Sequence, residues 1–241
     1  MSRPHFTIIT VVYNTQSTLE ATIISVLQQK KGLYEYWIID GNSTDGSIDI
    51  IRKYEKELTG WVSEPDNGIY DAMNKGINRA NGNWLYFLGA DDTLENNVLE
   101  KIVPYLSNDD SMIFGNILFD NGRLVRSFLN LRTFLQNTVH HQGAFYNRKL
   151  FKDFRYDTSQ KILSDYELNL IVHKNKLPVR EIPVVIAICK EGGASSHLDK
   201  SLEETNLIRS KHVTNIFLRK TLSFSLWLYY SQKKIRNYLF K

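Results

Sequence analysis

Residues 83–92 read NWLYFLGADD, an apolar run that ends on two adjacent carboxylates, Asp91 and Asp92. A short apolar run closed by glycine predicts a strand over Asn83–Leu88, buried on both faces. Working outward, Ile69 to Ala80 has helical spacing before it, and Glu95 to Leu106 after it. Further upstream, Phe6–Val12 (FTIITVV) is β-branched and free of charge, which again predicts a buried strand. Ser17 and Glu20 stand at capping-box spacing and open a helix to about Gln29. Tyr36–Asp40 predicts a second strand, Gly41–Gly46 a turn, Ser47 to Leu58 a helix, and Trp61–Ser63 a short strand. Strands alternating with helices over the first ~110 residues predict an α/β fold with a Rossmann-like, mostly parallel central sheet flanked by helices. Right-handed crossovers then set the loops after each strand along one edge, where ligands bind in such folds.

The second half is less regular. Ser111–Phe119, Gln142–Tyr146 and Val179–Ile188 predict strands, Asp165–His173 a helix, and Asp199 to about Leu218 another. No linker divides the chain. The expected organisation is one domain over 1–204, with halves 1–110 and 111–204, and a helical extension over 205–241.

The charge is uneven. Of 30 basic residues, eight lie beyond Glu204, where there is no acidic residue; the first 204 residues carry 22 basic against 26 acidic, a net of −4. A basic tail on a mildly acidic body predicts a polyanionic partner at that end. Within it, Leu222–Tyr230 (LSFSLWLYY) is apolar and aromatic, with basic residues on both sides. It is too short to span a bilayer, which takes ~20 residues. Its composition suits the headgroup region of an anionic membrane, with packing on the chain's own core or on a second copy, a homodimer, as the competing reading. Nothing else resembles a nucleic-acid-binding module. The one cysteine, Cys189, rules out an intrachain disulfide and fits a reducing, cytoplasmic setting, and no signal peptide precedes the first strand.

Three polar groups stand at predicted strand ends: Tyr13-Asn14, Asp40 with Asn42, and Asp91-Asp92. Taken singly, Asp40 would close a turn and Asp91 would cap a helix. Together along one edge they suit a divalent cation and a nucleotide. Mg²⁺ or Mn²⁺ takes one or two carboxylates plus phosphate oxygens. Two adjacent aspartates supply that, with one on the metal and one free for a sugar hydroxyl or ribose. Tyr13 would lie against a base ring, and Asp40 would accept from a base N–H.

The ordered blocks ITVVYN, IIDGNSTDGS and EPDNGIYDAMNKGINRANGNWLYFLGADD resemble the family 2 glycosyltransferases of GT-A fold. The resemblance covers at least residues 6–106, and the GIYDAMNKG block is similar to a bacterial subgroup that assembles O-antigen, capsule or exopolysaccharide. It implies an inverting transfer of one sugar from a nucleotide-diphospho-sugar, a UDP-sugar by default, to an acceptor hydroxyl; with the basic, aromatic C-terminal stretch, the expected acceptor is a glycan or polyprenyl-linked one at the inner face of the cytoplasmic membrane. It implies nucleotide-sugar contacts from Tyr13, Asn14, Asp40, Asp71, Asn74 and Asp91, and a Mn²⁺ or Mg²⁺ held by Asp92 with Asp91 beside it. In ILSDYEL, Asp165 stands where the family has its catalytic base; a helix N-cap is the competing reading, and Glu167 is the second carboxylate.

Three departures stand out. An arginine that many members direct at the diphosphate is absent from Ala72-Met73-Asn74, leaving Lys75 and Arg79 as candidates for that charge. A second aspartate common in uracil-binding members is replaced by Gly41. The Gln-x-x-Arg-Trp motif of processive synthases is missing, which favours one transfer per cycle. His141 and Gln142, in the HHQG run that leads into a strand, are candidates for the acceptor side, with a satisfied semi-buried histidine as the competing reading; adjacent histidines on a strand would point to opposite faces, which argues against a paired metal site. Gly192–His197 is a candidate loop over the donor, with a plain turn as the alternative. Two other functions remain open: a sugar nucleotidyltransferase, against which the Asn14-Thr15-Gln16-Ser17 segment argues because it lacks a Gly-rich basic loop, and a non-catalytic nucleotide-sugar-binding module, which would not need Asp165.

Overall fold

The computed structural model describes residues 4–191 and 198–239. The first half forms β1 (Phe6–Val12), α1 (Gln16–Leu27), β2 (Tyr34–Asp40), α2 (Ser47–Lys53), β3 (Gly60–Ser63), α3 (Ile69–Arg79) and β4 (Trp84–Gly89). These strands pair in parallel in the order β3-β2-β1-β4. Side chains alternate between two buried faces, as a pleated strand requires. Phe6, Ile8, Tyr36, Ile38, Trp84 and Tyr86 pack with Leu19 and Ile23 of α1 and Ile51 of α2. Ile9, Ile39, Leu85 and Phe87 pack on the other face with Tyr70, Met73 and Ile77 of α3. This two-sided burial explains why the strands read as unbroken apolar runs. The polar residues among them are paired: Thr7 donates to Glu35 at 2.6 Å, and the Thr10 and Tyr36 hydroxyls lie 3.0 Å apart.

The second half makes the sheet mixed. It adds β5 (Thr93–Leu94), α4 (Val98–Ile102), β6 (Met112–Phe119), β7 (Leu124–Val125), β8 (Ala144–Asn147), α5 (Ser164–Lys174), β9 (Val179–Cys189), α6 (Leu198–His212) and α7 (Ile216–Leu239). β8 enters antiparallel between β4 and β6, and β9 continues parallel to β6. α5 sends Leu168 and Val172 into the same apolar layer as α3. The two carboxylate-bearing regions are thereby held against one body.

Several boundaries differ from the sequence reading, each for a local reason. α1 begins after Thr15 without a side-chain cap, and no capping box forms. Glu20 instead bonds Lys53 and the Tyr54 hydroxyl. α2 ends at Lys53, short of Leu58. The helix expected over Glu95–Leu106 runs as an α-helix only over Val98–Ile102 and tightens into a 3-10 turn at Val103–Tyr105, where Pro104 has no N–H to continue the ladder. The helix expected to about Leu218 breaks after His212, and Asn215 caps α7 by accepting the Leu218 N–H at 3.0 Å. The boundary expected after residue 204 therefore falls inside α6. Among the described residues no helix is long and apolar enough to cross a membrane.

Candidate active site

The register β1–β2 places Val12 beside Asp40, and β2–β3 places Asp40 beside Ser63. Four strand ends thus deliver Tyr13-Asn14, Asp40-Gly41, Ser63 to Asp66, and Gly89 to Asp92 to one edge of the sheet. This is the edge at which an open parallel sheet binds ligands.

Their side chains play different parts. Tyr13 is 64% exposed, so its ring is open to solvent at this edge. Asn14, in the left-handed region at φ 51°, ties two loops together: its N–H donates to Ser43 at 2.8 Å and its Oδ1 accepts from Thr44 N at 2.9 Å. Asp40 is wholly buried and accepts from Ser43 N (3.0 Å), Ser43 Oγ (2.5 Å) and Ser63 Oγ (2.6 Å). The sequence reading gave Asp40 a free edge for a base N–H; its carboxylate is instead spent on the turn.

Asp71 accepts from Asn67 N at 3.0 Å and lies 3.7 Å from Lys75, closing the start of α3. Asn74 exchanges two hydrogen bonds with the backbone of Tyr156, at 2.8 and 3.0 Å. Both expected donor contacts therefore hold structure together. Of the candidate cations for the diphosphate, Lys75 pairs with Glu64 and Asp71, whereas Arg79 donates one bond to the Lys75 carbonyl.

The acidic pair converges beside Gly89. A Cβ at that position would lie 2.7 Å from Asp92 Oδ2 and 3.0 Å from Asp91 Oδ1. Asp91 is exposed and does not cap a helix. Asp92 is 5% exposed and accepts from Lys190 N at 3.0 Å, with the polar groups of Cys189 and Gln142 nearby. Burial, and then the neighbouring charge of Asp91, push its carboxyl up to about 6. Two carboxylates driven together in this way fit a hard divalent cation, which takes oxygen donors and offsets their repulsion. Among the described residues no group of three or more acidic, histidine or cysteine side chains could hold a metal. Two protein oxygens plus ligand phosphates and water match the habit of Mg²⁺ or Mn²⁺.

Asp165 lies in the first turn of α5, two residues past the residue that caps it, Leu163, so it is not the cap. Its Oδ1 accepts from Tyr70 at 3.0 Å and its Oδ2 from Asn137 at 2.8 Å. Burial raises its pKa; the donors Tyr70 and Asn137 work against that rise. Glu204 of α6 fixes the chain just before α5 by accepting the N–H groups of Lys161, Ile162 and Leu163 at 2.8–2.9 Å. Glu167 points elsewhere, to His212 at 2.7 Å and Lys211 at 3.6 Å.

Segment 137–142 runs past both carboxylates: Asn137 bonds Asp165, and the Gln142 side chain lies near Asp92. His141 belongs to a 3-10 turn ahead of β8, not to the strand. Its ring stacks on Phe87 at 5.3 Å, its nitrogens are shielded and unpaired, and burial lowers its pKa to about 4. It is therefore a neutral core ring and not an acceptor contact. Tyr70, Asn137 and Glu204 escaped the sequence reading because each acts on a residue far along the chain. The candidate loop Gly192–His197 lies outside the described residues.

A family model described as Glycosyl transferase family 2 matches residues 7–173. A PGL/p-HBAD biosynthesis glycosyltransferase of Mycobacterium tuberculosis is 32% identical over 207 residues, 82% of this chain and 81% of that one. Among solved structures, S. aureus TarS 1-349 in complex with UDP-GlcNAc aligns with a TM-score of 0.73 at 17% identity, over 92% of this chain and 71% of that one. This chain spans 42% of full-length TarS. The mannosyltransferase PcManGT from Pyrobaculum calidifontis, in complex with GDP-Man and Mn2+, aligns with a TM-score of 0.66 at 15% identity, over 89% and 65%. The structural likenesses establish the GT-A-like fold.

Proposed function

The chain belongs to glycosyl transferase family 2, and we propose that it is an inverting, metal-dependent enzyme that moves one sugar per cycle from a nucleoside-diphosphate sugar to an acceptor hydroxyl. The observation that carries the reading is the presence of two unlike carboxylate sites on one body. Asp91 and Asp92 converge for a cation, whereas Asp165 stands apart, buried and held by neutral donors.

Asp165 acts as the general base. It takes the proton of the acceptor hydroxyl while that oxygen attacks the anomeric carbon and the carbon–oxygen bond to the diphosphate breaks. Its raised pKa makes it a stronger base than an exposed aspartate. Tyr70 and Asn137 keep the carboxylate in one orientation. Mn²⁺ or Mg²⁺ held by Asp92 and Asp91 would supply positive charge for the departing diphosphate. Asp91, being exposed, is placed for the donor's sugar or ribose, and Tyr13 offers a platform for the base. The acceptor belongs to cell-surface glycan assembly, in keeping with the GIYDAMNKG block and the glycosyltransferase relative.

We extend the reading to α7. Phe217, Phe224, Trp227 and Leu228 are exposed, with Phe224 and Trp227 stacked at 5.9 Å, and Lys220 is exposed among them. Aromatics interleaved with basic residues favour an anionic membrane surface, and with it a lipid-linked acceptor at the inner face of the cytoplasmic membrane. A homodimer through the same face is the competing occupant.

The testing experiment incubates the enzyme with UDP-sugars, Mn²⁺ and lipid-linked glycans, and follows the product's anomeric proton by NMR. Release of the nucleoside diphosphate with a product of opposite anomeric configuration is expected. Retention of configuration would overturn the mechanism.

A further inference from the structure

Gly41 is a glycine without a conformational reason. Its φ lies outside the left-handed region, so any residue could adopt the backbone there. What excludes a side chain is space: a Cβ at position 41 would run into the carboxylate of Asp66, and would lie 3.3 Å from the Tyr13 ring. Asp66 thus occupies the volume that a side chain at 41 would need. It comes from the loop after β3, a neighbouring strand end.

The two oxygens of Asp66 are not equivalent. Oδ1 accepts the Gly68 N–H at 2.8 Å and so holds the turn into α3. Oδ2, the atom above Gly41, accepts no hydrogen bond among the described residues and is not sealed from solvent. Beside it lies the exposed ring of Tyr13. A flat ring with one free carboxylate oxygen at its edge suits a nucleobase stacked on the ring and presenting one N–H. Asp40 is fully buried with both oxygens already bonded, and has no edge to offer.

We propose that Asp66, in place of Asp40, is the carboxylate that reads the donor's base, and that the base is one with a single N–H on its recognised edge, as in uracil. Guanine presents two adjacent N–H groups to a carboxylate and would call for both oxygens; Asp66 has one to give. Neighbouring folds hold UDP-GlcNAc or GDP-Man, so the fold does not choose the base and the residues around Gly41 must. The inference rests on the donor-site reading above and adds the group that selects the nucleotide.

The experiment is calorimetric titration, with Mn²⁺ present, of UDP, N3-methyl-UDP and GDP into the wild-type chain, Asp66→Ala and Asp66→Asn. The wild type should prefer UDP to N3-methyl-UDP by about tenfold or more, the loss of one hydrogen bond to a charged group. Asp66→Asn keeps an oxygen for the Gly68 N–H, and so preserves the turn while replacing the free acceptor with a donor. Both variants should bind UDP and N3-methyl-UDP alike. Wild-type preference retained in Asp66→Asn, or undiminished UDP affinity in Asp66→Ala, overturns the assignment while leaving the donor site standing. A wild-type chain that binds no nucleoside diphosphate overturns the donor reading itself, and this inference with it.

Discussion

Tyr70 of α3 donates to Oδ1 of Asp165 in α5 at 3.0 Å, joining the helix of the GIYDAMNKG block to the proposed base nearly a hundred residues away. The same hydroxyl lies 2.7 Å from the Ile162 carbonyl, so its one proton is shared between the two acceptors. Two consequences concern catalysis.

Tyr70→Phe should lower kcat by ~10-fold, in the range expected for a hydrogen bond to a charged group. The Tyr70 bond favours the ionised form of Asp165. Its loss should therefore move the acid limb of the pH–rate profile to higher pH. An unchanged profile would reduce Tyr70 to packing.

Asp165→Asn should cut the transfer rate by ~100-fold or more, as general-base losses do, while donor binding persists. The folded-state pKa of Asp165 is raised by burial. Stability gained by protonating it is fully present below the unfolded value of ~3.9 and is lost as pH rises through the folded value. The melting temperature of Asp165→Asn relative to wild type should therefore be higher at pH 8 than at pH 4.5. A difference that does not change with pH would contradict the burial account.

Glu204→Ala removes the acceptor of three backbone N–H groups. Denaturant titration should show a loss of ~2–4 kcal/mol, the penalty for leaving buried donors unpaired. Glu204→Gln, which keeps a neutral acceptor, should lose less.

On α7, Phe217→Ser, Phe224→Ser and Trp227→Ser together change exposed side chains only. Flotation with anionic liposomes should lose the triple variant while its melting temperature stays unchanged. Deleting residues 221–241 should also abolish flotation, with a lower melting temperature because buried Leu226 goes with it. Equal flotation of all forms would remove the membrane reading, and a concentration-dependent dimer lost in the variants would establish the competing occupant.

The parallel half of the fold was legible because its strands are buried on both faces and end in polar residues. The 83–92 stretch alone carried a strand, a turn and two carboxylates. What stayed hidden was long-range or competitive. Glu20 had the spacing of a cap but found Lys53 and Tyr54 nearer its side chain. Asp40 had the position of a base contact but was outbid by Ser43 and Ser63. His141 carries a functional side chain in a site that burial makes inert. Asp66 stands inside the EPDNGIYDAMNKG block, yet only the space above Gly41 gives it a part to play. Sequence spacing locates a carboxylate; only the fold shows which groups hold it and in what orientation.

The central claim is that Asp91 and Asp92 form the cation end of a nucleotide-sugar site. Titrating UDP into the wild-type chain and into Asp92→Asn, with and without Mn²⁺, tests it most directly. The account predicts that Mn²⁺ tightens wild-type binding by ~10-fold or more and leaves Asp92→Asn nearly unaffected. Equal Mn²⁺ dependence in the two proteins would contradict it.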